Sequence, residues 1–540
     1  MPIAKVRNLS KYGVITDADS YNLPLEAWSM AINARFKDGC VERGPVFRRM
    51  PLELAEDDPR FLCTSIPTSG FDTFFIGYLN GQVAAVAGGL ESDVSIFGYV
   101  DNNSDTPYTH CHLSNVEYIN REDRVPWSKT SSDTLFQALP NWDATWRARI
   151  LRSANSSLVA FGITKGSTEY PTMVKSSSFA LFDTEPASWD ETDPTENAYE
   201  NIFAEMESKI TEAQTLGDIM IVYGPNETWK MTPTGSSDIW DVRRIFNDAG
   251  CIGVNCAVEV DKKQYVFGLN DIWVHDGVSK KSIADGLVKK RIFENLSLDD
   301  TQRCFVTYDE LRREVRFNYV SSDELCAFSG VDGCNRTAVY RIENSTWQFD
   351  DTPFVFSASR GNIDTTETWA SVSDTWETIG ATWLAQETSL KRPLLMAGAA
   401  AAGYELEPSI YVFDEAGAGA MTSLPVDTNA TAGVTLHRDG IDLDDMPDAP
   451  QYETYKVLDK VFIQARFDVD TEPLNVSIGV ADGYNADPTF ATDMEFDPNI
   501  HWRCDFGIGG RYAFIRITHD DVHWFRITGY DLDVYQLGDR

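Results

Sequence analysis

Short apolar runs, separated by turn residues, dominate the sequence between about residues 60 and 365. Gly, Asp, Asn and Ser supply the turns, and few windows have the period of an amphipathic helix. The clearest predicted strands are 74–78, 82–87, 157–161, 179–182, 219–223, 264–267, 271–275 and 314–319. This pattern predicts an all-β protein.

Two runs have a helix-like pattern instead. The segment 196–214 is polar and rich in Glu, and the segment 288–296 is a short apolar and basic run. Neither is long enough to change the fold class, so we expect one or two helical turns within a β protein.

Three segments repeat one order of features: an apolar strand, a turn that contains Gly or Asn, and a strand that carries Trp. They are 219–231, 264–275 and 338–349, and the first two begin 45 residues apart. This spacing is close to the roughly 40 to 50 residues of a propeller blade. Radial blades bury such strands and leave only short edges. We therefore predict a β-propeller-like central domain over 56–365.

The C-terminal part of the chain alternates cleanly between apolar and polar positions. The alternation is clearest in 460–469, 474–480, 512–518 and 523–530, and Asp-rich turns join these runs. Period-two strands of this kind are typical of a sheet with one buried face. We predict a β-sandwich or small barrel over 405–540.

The first 55 residues indicate an extended arm with turns. Asp38-Gly39 stands between the apolar runs 31–36 and 40–42, and this pair of residues is a strong signal for a two-residue β-hairpin. We therefore predict a hairpin within this N-terminal arm, 1–55.

A connecting segment is expected over 366–404. Trp369, Trp376 and Trp383 recur every seven residues, but one apolar residue per heptad gives no coiled-coil seam. We expect this segment to be extended, and the Ala-rich run 397–402 to act as a linker before the C-terminal domain.

Composition adds a strong charge asymmetry to this picture. With 540 residues the chain is long enough for two or three domains, and its 43% hydrophobic and 12% aromatic residues supply a large core. Its 83 acidic residues outnumber the 46 basic ones and give a formal charge of −37. Proteins that grip nucleic acid through phosphates have the opposite sign. An acidic wall could still surround DNA, because it would repel the phosphates without holding them.

No apolar run reaches the roughly 18 to 20 residues of a membrane helix, and the first residues lack the apolar core of a secretory signal. We therefore predict no direct membrane insertion and expect folding in the cytosol. The nine cysteines form no C-x-x-C pair, which favours buried, reduced thiols over a disulfide framework or zinc ribbon.

Few residues suggest chemistry. His110 and His112 would lie on one face of a strand and could begin a metal site, but no second ligand pair has a recognised spacing. Cys251 with Cys256 and Cys326 with Cys334 have no nearby His, so core packing is favoured over nucleophilic catalysis.

Two acidic clusters, 190–193 and 439–445, lack the Gly and final Glu of an EF-hand, so solvated loops are favoured over calcium sites. No nucleophile elbow, phosphate loop, zinc-protease or dinucleotide motif is present. We predict no enzyme activity, no cofactor and no metal.

The N-terminal arm, from Asp19 to Gly39, resembles the opening of tail nozzle proteins, also called packaged-DNA-stabilisation or tail hub proteins, of short-tailed bacteriophages. The residues that carry this resemblance are Leu23, Pro24, Trp28, Asn33, Arg35, Phe36, Asp38 and Gly39. The segments 270–277, 283–286 and 314–319 resemble the propeller of that family, with Ile272, Trp273, Asp276 and Gly277 as the most telling positions. The C-terminal end is similar at Gly510, Arg511, Tyr512, Gly529 and Asp531. The segments 165–215 and 405–450 depart from the family pattern.

The resemblance implies a homo-oligomeric ring, usually six-fold, in the phage tail. Such a subunit would extend the DNA-ejection channel below the portal and adaptor proteins, help to retain the packaged genome, and anchor tail fibres or a needle. Genomic DNA would pass through its lumen without sequence-specific binding. The chain would be assembled in the host cytoplasm and would reside in the virion.

Two other functions remain open at this stage. A phage tail protein that binds or cleaves host glycan could use exposed Trp residues, such as those at 369, 376 and 383, to stack on sugars. A generic propeller scaffold would share the β pattern without joining a tail.

Overall fold

The structure is a computed structural model. It describes residues 3–56, 58–65, 73–87, 90–193, 195–235, 239–330, 332–361, 392–417, 420–422, 424–442, 454–469, 471–483 and 486–539. Within these ranges the chain contains 39 β-strands, one α-helix and three short 3-10 turns, so it is an all-β protein.

The N-terminal residues form five short strands, β1 to β5, and all of them except β3 pair with strands from the second half of the chain. Their bounds are Ile3–Arg7, Met30–Ile32, Ala34–Lys37, Cys40–Arg43 and Val46–Arg49. The predicted hairpin is confirmed by the pairing of β3 with β4 from Lys37 and Cys40 outwards. Asp38 and Gly39 occupy its turn with φ of 51° and 78°, the left-handed conformations that a tight two-residue hairpin turn requires.

Five four-stranded antiparallel sheets follow, each with its strands in chain order. The first sheet contains β6 to β9: Pro59–Ser65, Thr73–Tyr78, Val83–Ala87 and Leu90–Asp93. The second contains β10 to β13: Tyr108–Leu113, Val116–Arg121, Trp127–Lys129 and Gln137–Ala138. The third contains β14 to β17: Trp146–Ala154, Ser157–Lys165, Thr168–Ser176 and Tyr199–Ile202. The fourth sheet contains β18 to β21: Glu212–Leu216, Ile219–Tyr223, Thr228–Pro233 and Trp240–Phe246. The fifth contains β22 to β25: Ala257–Val260, Lys263–Phe267, Ile272–His275 and Lys280–Ser282.

A sixth antiparallel set, β26 to β29, follows helix α1 and belongs to a larger sheet. Helix α1 is Lys289–Asn295, and the four strands are Phe305–Asp309, Glu314–Tyr319, Cys334–Arg341 and Thr346–Arg360. The helix confirms the prediction for 288–296. The larger sheet has 13 strands and continues from β29 into strands of the chain's end.

The last ten strands, β30 to β39, divide between this large sheet and a six-stranded one. Their bounds are Leu394–Gly398, Ser409–Asp414, Val434–Asp442, Thr454–Phe467, Leu474–Ala481, Thr489–Phe490, Met494–Phe496, Cys504–Gly510, Tyr512–His519 and Phe525–Asp539. Strands β33, β37 and β39 pair in the six-stranded sheet, whereas β32, β34 and β38 pair in the large one. The predicted alternating runs 474–480 and 512–518 fall within β34 and β38, and 460–469 and 523–530 overlap β33 and β39 except for two residues each.

The first strands of successive sheets lie next to one another, in the order β6, β10, β14, β18, β22 and β26. Strands β29 and β30 lie against β6. None of the sheets closes on itself within the described residues. The largest core cluster joins N-terminal side chains such as Trp28 to the fifth and sixth sets, through Phe267 and Phe317, and to C-terminal strands through Ile515 and Leu532.

Two strand and helix predictions in the 165–215 region are wrong. The run 179–182 forms no strand, because β17 takes the position beside β16 and leaves the run without a partner. Phe179, Leu181 and Phe182 are consequently exposed. The segment 196–214 is not helical, since it lacks an apolar stripe and its backbone pairs in β17 and β18 instead.

The extended arm predicted for 1–55 consists of short strands, which pair with β29, β31, β32 and β39 as well as with each other. The prediction of a linker over 397–402 is wrong. The run 397–402 begins inside β30, which lies between β29 and β31. Small residues fit this close packing: a Cβ on Gly398 would lie 2.7 Å from the Tyr411 ring.

Within the described residues no helix is long and apolar enough to cross a membrane.

Candidate functional site

Five of the eight N-terminal motif residues are buried, whereas Pro24 and Asp38 are exposed and Gly39 is half-buried. The buried ones are Leu23, Trp28, Asn33, Arg35 and Phe36. The Trp28 indole Nε1 donates to the backbone oxygen of Leu9 at 3.2 Å, and its ring packs edge-on against Tyr530, with centroids 6.3 Å apart. This contact joins the two ends of the chain.

Backbone groups around the same motif bind side chains from distant strands. Arg438 donates to the backbone oxygens of Leu23 and Pro24, at 2.9 Å and 3.4 Å. Arg341 donates to the backbone oxygen of Phe36 at 2.8 Å. The Gly39 N–H donates to a serine hydroxyl at 2.9 Å. The motif therefore supplies backbone oxygens that accept hydrogen bonds from two arginines, and a turn whose N–H is bound by a serine.

Asn33 is a junction between three parts of the chain. Its φ of 56° lies in the left-handed region, which asparagine tolerates better than most residues. Its amide Nδ2 donates to the backbone oxygen of Gly433 at 2.8 Å. Its Oδ1 accepts from the backbone N–H of Asp351 in β29 at 2.8 Å. Asn33 thus connects the sixth strand set to the C-terminal region.

Arg35 opens a buried network of ion pairs. Its Nε lies 3.2 Å from Glu314, and its Nη1 lies 2.7 Å from Glu415. Arg312 also binds Glu415, at 2.9 Å, and pairs with Asp309 at 2.7 Å. The carboxylate of Glu415 therefore bridges the N-terminal hairpin and the sixth set.

The network continues along strands β27 to β29. Arg316 lies 2.8 Å from Asp350, and Arg336 lies 2.8 Å from Asp351. All four side chains are at most 4% exposed. Buried charges of this kind are tolerated only when they are paired, so the pairs fix the register of the sixth set against its neighbours.

The C-terminal motif lies against the same junction. Asp531 pairs with Arg7 of β1 at 2.5 Å. Tyr512 is buried, and the backbone N–H of Arg511 donates to Ala481 at 3.1 Å. Gly510 stands where a Cβ would lie 2.8 Å from the Cβ of Val480. Asp531 thus ties β39 to the N-terminal strand β1, whereas Gly510 and Arg511 contact residues of the neighbouring C-terminal strand β34.

Gly529 supplies a direct test of this junction. A Cβ at this position would lie 2.7 Å from the backbone oxygen of Val6 in the paired strand β1. We expect Gly529→Ala to lower the melting temperature, with a loss of about 1–3 kcal/mol from overpacking. The matched control is Gly403→Ala, where a Cβ meets nothing within 4 Å. Equal melting temperatures for the two variants would contradict the close approach of β1 and β39.

The middle motif lies at the turn after β24, and its two apolar residues belong to the same core cluster as Trp28. Ile272 and Trp273 are buried, and the Trp273 Nε1 donates to the backbone oxygen of Gly250 at 3.1 Å. Asp276 accepts from backbone N–H groups at 2.9 Å and 2.7 Å. Gly277 follows with φ of 83°, a value that favours glycine. These four residues hold a tight turn.

His275, beside this motif, is a buried neutral imidazole. Its Nδ1 accepts from the Gly277 N–H at 3.1 Å, and its Nε2 lies 2.6 Å from the Tyr223 hydroxyl. The hydroxyl donates to Gln264, so it is left to accept from His275 Nε2. Burial lowers the pKa of His275 to about 4.

The depressed pKa of His275 gives a pH-dependent stability. In the unfolded chain the imidazole takes up a proton near pH 6.5, whereas the folded site resists protonation until about pH 4. The contribution of the neutral His275 to the free energy of unfolding is therefore complete above pH 6.5. It is lost as the pH falls towards 4, by about 3 kcal/mol in all. We expect His275→Gln to flatten the fall in melting temperature between pH 7.5 and 4.5. An unchanged pH profile in this variant would refute the assignment.

His110 and His112 do lie on one face of β10, as predicted, and both meet Glu117 of β11. His110 Nε2 and His112 Nδ1 each lie 2.7 Å from a Glu117 oxygen, and Ser65 donates to the same carboxylate at 2.5 Å. Burial raises the pKa of Glu117, but the hydrogen bonds to the two imidazoles outweigh burial, so the net pKa is well below the ordinary range. The hydrogen bond to Glu117 raises the pKa of His112.

Other candidates for chemistry have structural contacts. Asp190 and Asp193 accept from the threonines two residues further on. The expected burial is confirmed for eight of the nine cysteines, whereas Cys326 is half-buried. Across the described ranges, no group of three or more His, Cys, Asp or Glu side chains is placed to hold a metal ion. Trp369, Trp376 and Trp383, and Asp444 and Asp445 of the acidic cluster 439–445, lie outside the described residues.

A cavity of about 300 Å³ lies where the first strands of the six sets meet. Its polar lining includes Arg60, His110 and Arg152 from the first three sets, Asp105 from the segment before β10, and Arg303 from the 3-10 turn before β26. No pattern in the sequence indicates this cavity. Its residues are far apart in sequence and share no motif, so only the order of the strand sets could have brought them together.

No protein-family model matches the chain, and no curated protein matches it. Among solved structures, the computationally designed Ika8 protein matches with a TM-score of 0.35 and 8% identity, over 68% of this chain and 99% of the designed one.

Proposed function

We propose that the chain is a structural subunit of the tail nozzle of a short-tailed bacteriophage, which extends the DNA-ejection channel below the portal and adaptor proteins. In this proposal six antiparallel strand sets form the blades of a β-propeller, and several copies form a ring, six in the family that the sequence resembles. The ring helps to retain the packaged genome and offers its outer surface to tail fibres or a needle.

The observation that carries the proposal is the separation of charge between interior and exterior. The buried charged residues are nearly balanced, with eleven basic and ten acidic side chains: Arg35, Arg43, Arg48, Arg121, Lys175, Arg312, Arg316, Arg336, Arg341, Arg438, Lys456; Glu42, Glu117, Glu212, Glu227, Asp309, Glu314, Asp350, Asp351, Asp414, Asp533. The other 73 acidic and 35 basic residues of the chain lie outside this buried set. Among the described residues, burial thus takes up nearly equal numbers of the two signs, so the buried core does not account for the acidic excess of the chain. A ring of such subunits would repel phosphate, so that DNA could slide through without sticking.

Two further observations support the proposal. The four-stranded sets follow one another in chain order and touch through their first strands, as blades around an axis would. Large apolar side chains are exposed at Phe97, Phe182 and Trp502, and such residues are common where subunits meet.

Co-sedimentation with the portal and adaptor proteins of the same particle tests the proposed position in the tail. We expect the full chain to sediment with the portal–adaptor complex and to remain light when either is omitted. A generic scaffold would have no reason to join that complex. Persistence of the chain as a free monomer beside an assembled portal–adaptor complex would contradict the nozzle proposal. Saccharide release or strong saccharide binding on a glycan array would favour a glycan-directed tail protein instead.

A further inference from the structure

The lining of the central cavity is rich in arginine, and carboxylates behind the lining pair with each guanidinium group: Asp58 with Arg60, Asp300 with Arg303 and Glu212 with Arg152. Three arginines line the cavity, Arg60, Arg152 and Arg303, whereas Asp105 is the one acidic residue among its described lining residues. In a chain with a formal charge of −37, such a concentration of guanidinium groups is a local exception. Its volume, about 300 Å³, is at the lower end of the range for small-molecule sites.

Arg60 and Arg303 face each other across Asp105. The Nη1 of Arg60 lies 3.6 Å from one Asp105 oxygen, and the Nη2 of Arg303 lies 3.6 Å from the other. Both distances exceed the 2.7–3.2 Å or so of a direct N–H···O hydrogen bond. The Asp105 carboxylate therefore lies within ion-pair distance of both guanidinium groups but makes no direct hydrogen bond to either of them.

Both guanidinium groups have buried N–H donors that make no hydrogen bond within the described residues. These donors are the Nε and Nη1 of Arg60 and the Nε of Arg303, whereas the Nη1 of Arg303 forms an ion pair with Asp300. Each group is held from one side by a carboxylate, Asp58 at 3.1 Å from Arg60 and Asp300 at 3.3 Å from Arg303. The Arg60 guanidinium also stacks 3.8 Å over the Phe356 ring. Buried donors without acceptors are costly, and the Asp58 and Asp300 carboxylates hold the two guanidinium groups in fixed orientations at the cavity wall.

Arg152 and His110 form part of the wall but are already engaged. The Arg152 Nη2 pairs with Glu212 at 2.8 Å and donates to Asn255 at 3.0 Å. The ring of His110 binds Glu117. The free donors of the cavity are thus those of Arg60 and Arg303.

We propose that this cavity binds a small tetrahedral oxyanion, such as inorganic phosphate, between Arg60 and Arg303. Guanidinium groups bind phosphate oxygens in pairs of parallel hydrogen bonds. A tetrahedral anion points its oxygens in several directions and so reaches both arginines, whereas the planar Asp105 carboxylate reaches neither. Asp105 lies outside any strand and its side chain is 44% exposed, so it acts as an internal competitor that the incoming anion displaces. This inference is independent of the nozzle proposal.

Equilibrium dialysis of the full chain with radiolabelled inorganic phosphate, at constant ionic strength, tests the site. We expect saturable binding of one phosphate per chain. Asp105→Asn removes the competing charge and should tighten binding about tenfold, whereas Arg303→Gln and Arg60→Gln should weaken it at least about tenfold. Arg243→Gln is the matched control, because Arg243 pairs with Asp241 on the surface, and it should change nothing.

The double variant Asp105→Asn/Arg303→Gln keeps the test decisive if wild-type binding is weak. We expect it to lose the binding that Asp105→Asn gains, while its melting temperature stays close to that of Asp105→Asn. Equal phosphate binding by the single and double variants would overturn the proposal, as would the lack of saturable binding in Asp105→Asn.

Discussion

Replacement of Asp351 by Ala is expected to lower the stability of the protein by about 3–5 kcal/mol. The Arg336 guanidinium, 1% exposed, would lose the carboxylate at 2.8 Å and retain only Asp323 at 3.8 Å. Asp351 also lies 3.4 Å from the Asn33 amide, so the substitution weakens the N-terminal junction as well. A shift of the urea unfolding midpoint to lower concentration measures the loss.

Two further variants separate the effect of the buried charge from a general loss of contacts. Asp505→Ala removes a half-exposed partner of Arg503, and surface pairs of this kind contribute at most about 1 kcal/mol. The double variant Asp351→Ala/Arg336→Met removes both charges and should recover much of the loss, because an apolar pair often replaces a buried ion pair without penalty. Equal midpoints for Asp351→Ala and the double variant would contradict a penalty from an unpaired Arg336.

Replacement of Trp28 by Ala is expected to cost about 3–5 kcal/mol, in the range of large-to-small substitutions of buried aromatic residues. Trp28 is 1% exposed and packs in the core that joins both chain ends to the fifth and sixth strand sets. The variant would also leave the Leu9 backbone oxygen without its indole donor. Thermal unfolding and the rate of proteolysis near the N-terminus should both report the change.

Trp502→Ala is the control for the Trp28 experiment. Trp502 is 67% exposed, so its removal should shift the melting temperature by much less. A Trp28→Ala variant as stable and as protease-resistant as Trp502→Ala would show that the N-terminal motif is not a structural junction.

The local pattern of the sequence was sufficient to predict most strands. Runs such as 219–223 and 314–319 coincide with β19 and β27, because alternating or continuous apolar positions depend only on which face is buried. The Asp38-Gly39 turn was predictable for a similar reason, since its left-handed conformations restrict the residue types locally.

Long-range pairing could not be predicted from the same patterns. The segments 179–182 and 196–214 were misassigned because strand β17 decides which run pairs with β16. Likewise, nothing local in 30–32 indicates that β2 lies between β29 and β32, more than 300 residues away. Pairing over such distances depends on the whole fold, not on a window of sequence.

The motif residues were identified by resemblance, and the structure shows what most of them do. Trp28, Asn33, Arg35, Gly529 and Asp531 act in packing, backbone capping and ion pairing. The central cavity was not predictable, since Arg60 and Arg303 are brought together only by the order of the strand sets. Sequence signals therefore identified the structural junction, and the three-dimensional arrangement supplied the candidate ligand site.

Particle imaging of purified virions tests the nozzle proposal most directly. The account predicts density for this chain in a closed axial ring below the portal and adaptor, with the acidic surface of each copy around the channel. Density for this chain away from the axis, or as single copies attached to the outside of the tail, would contradict it.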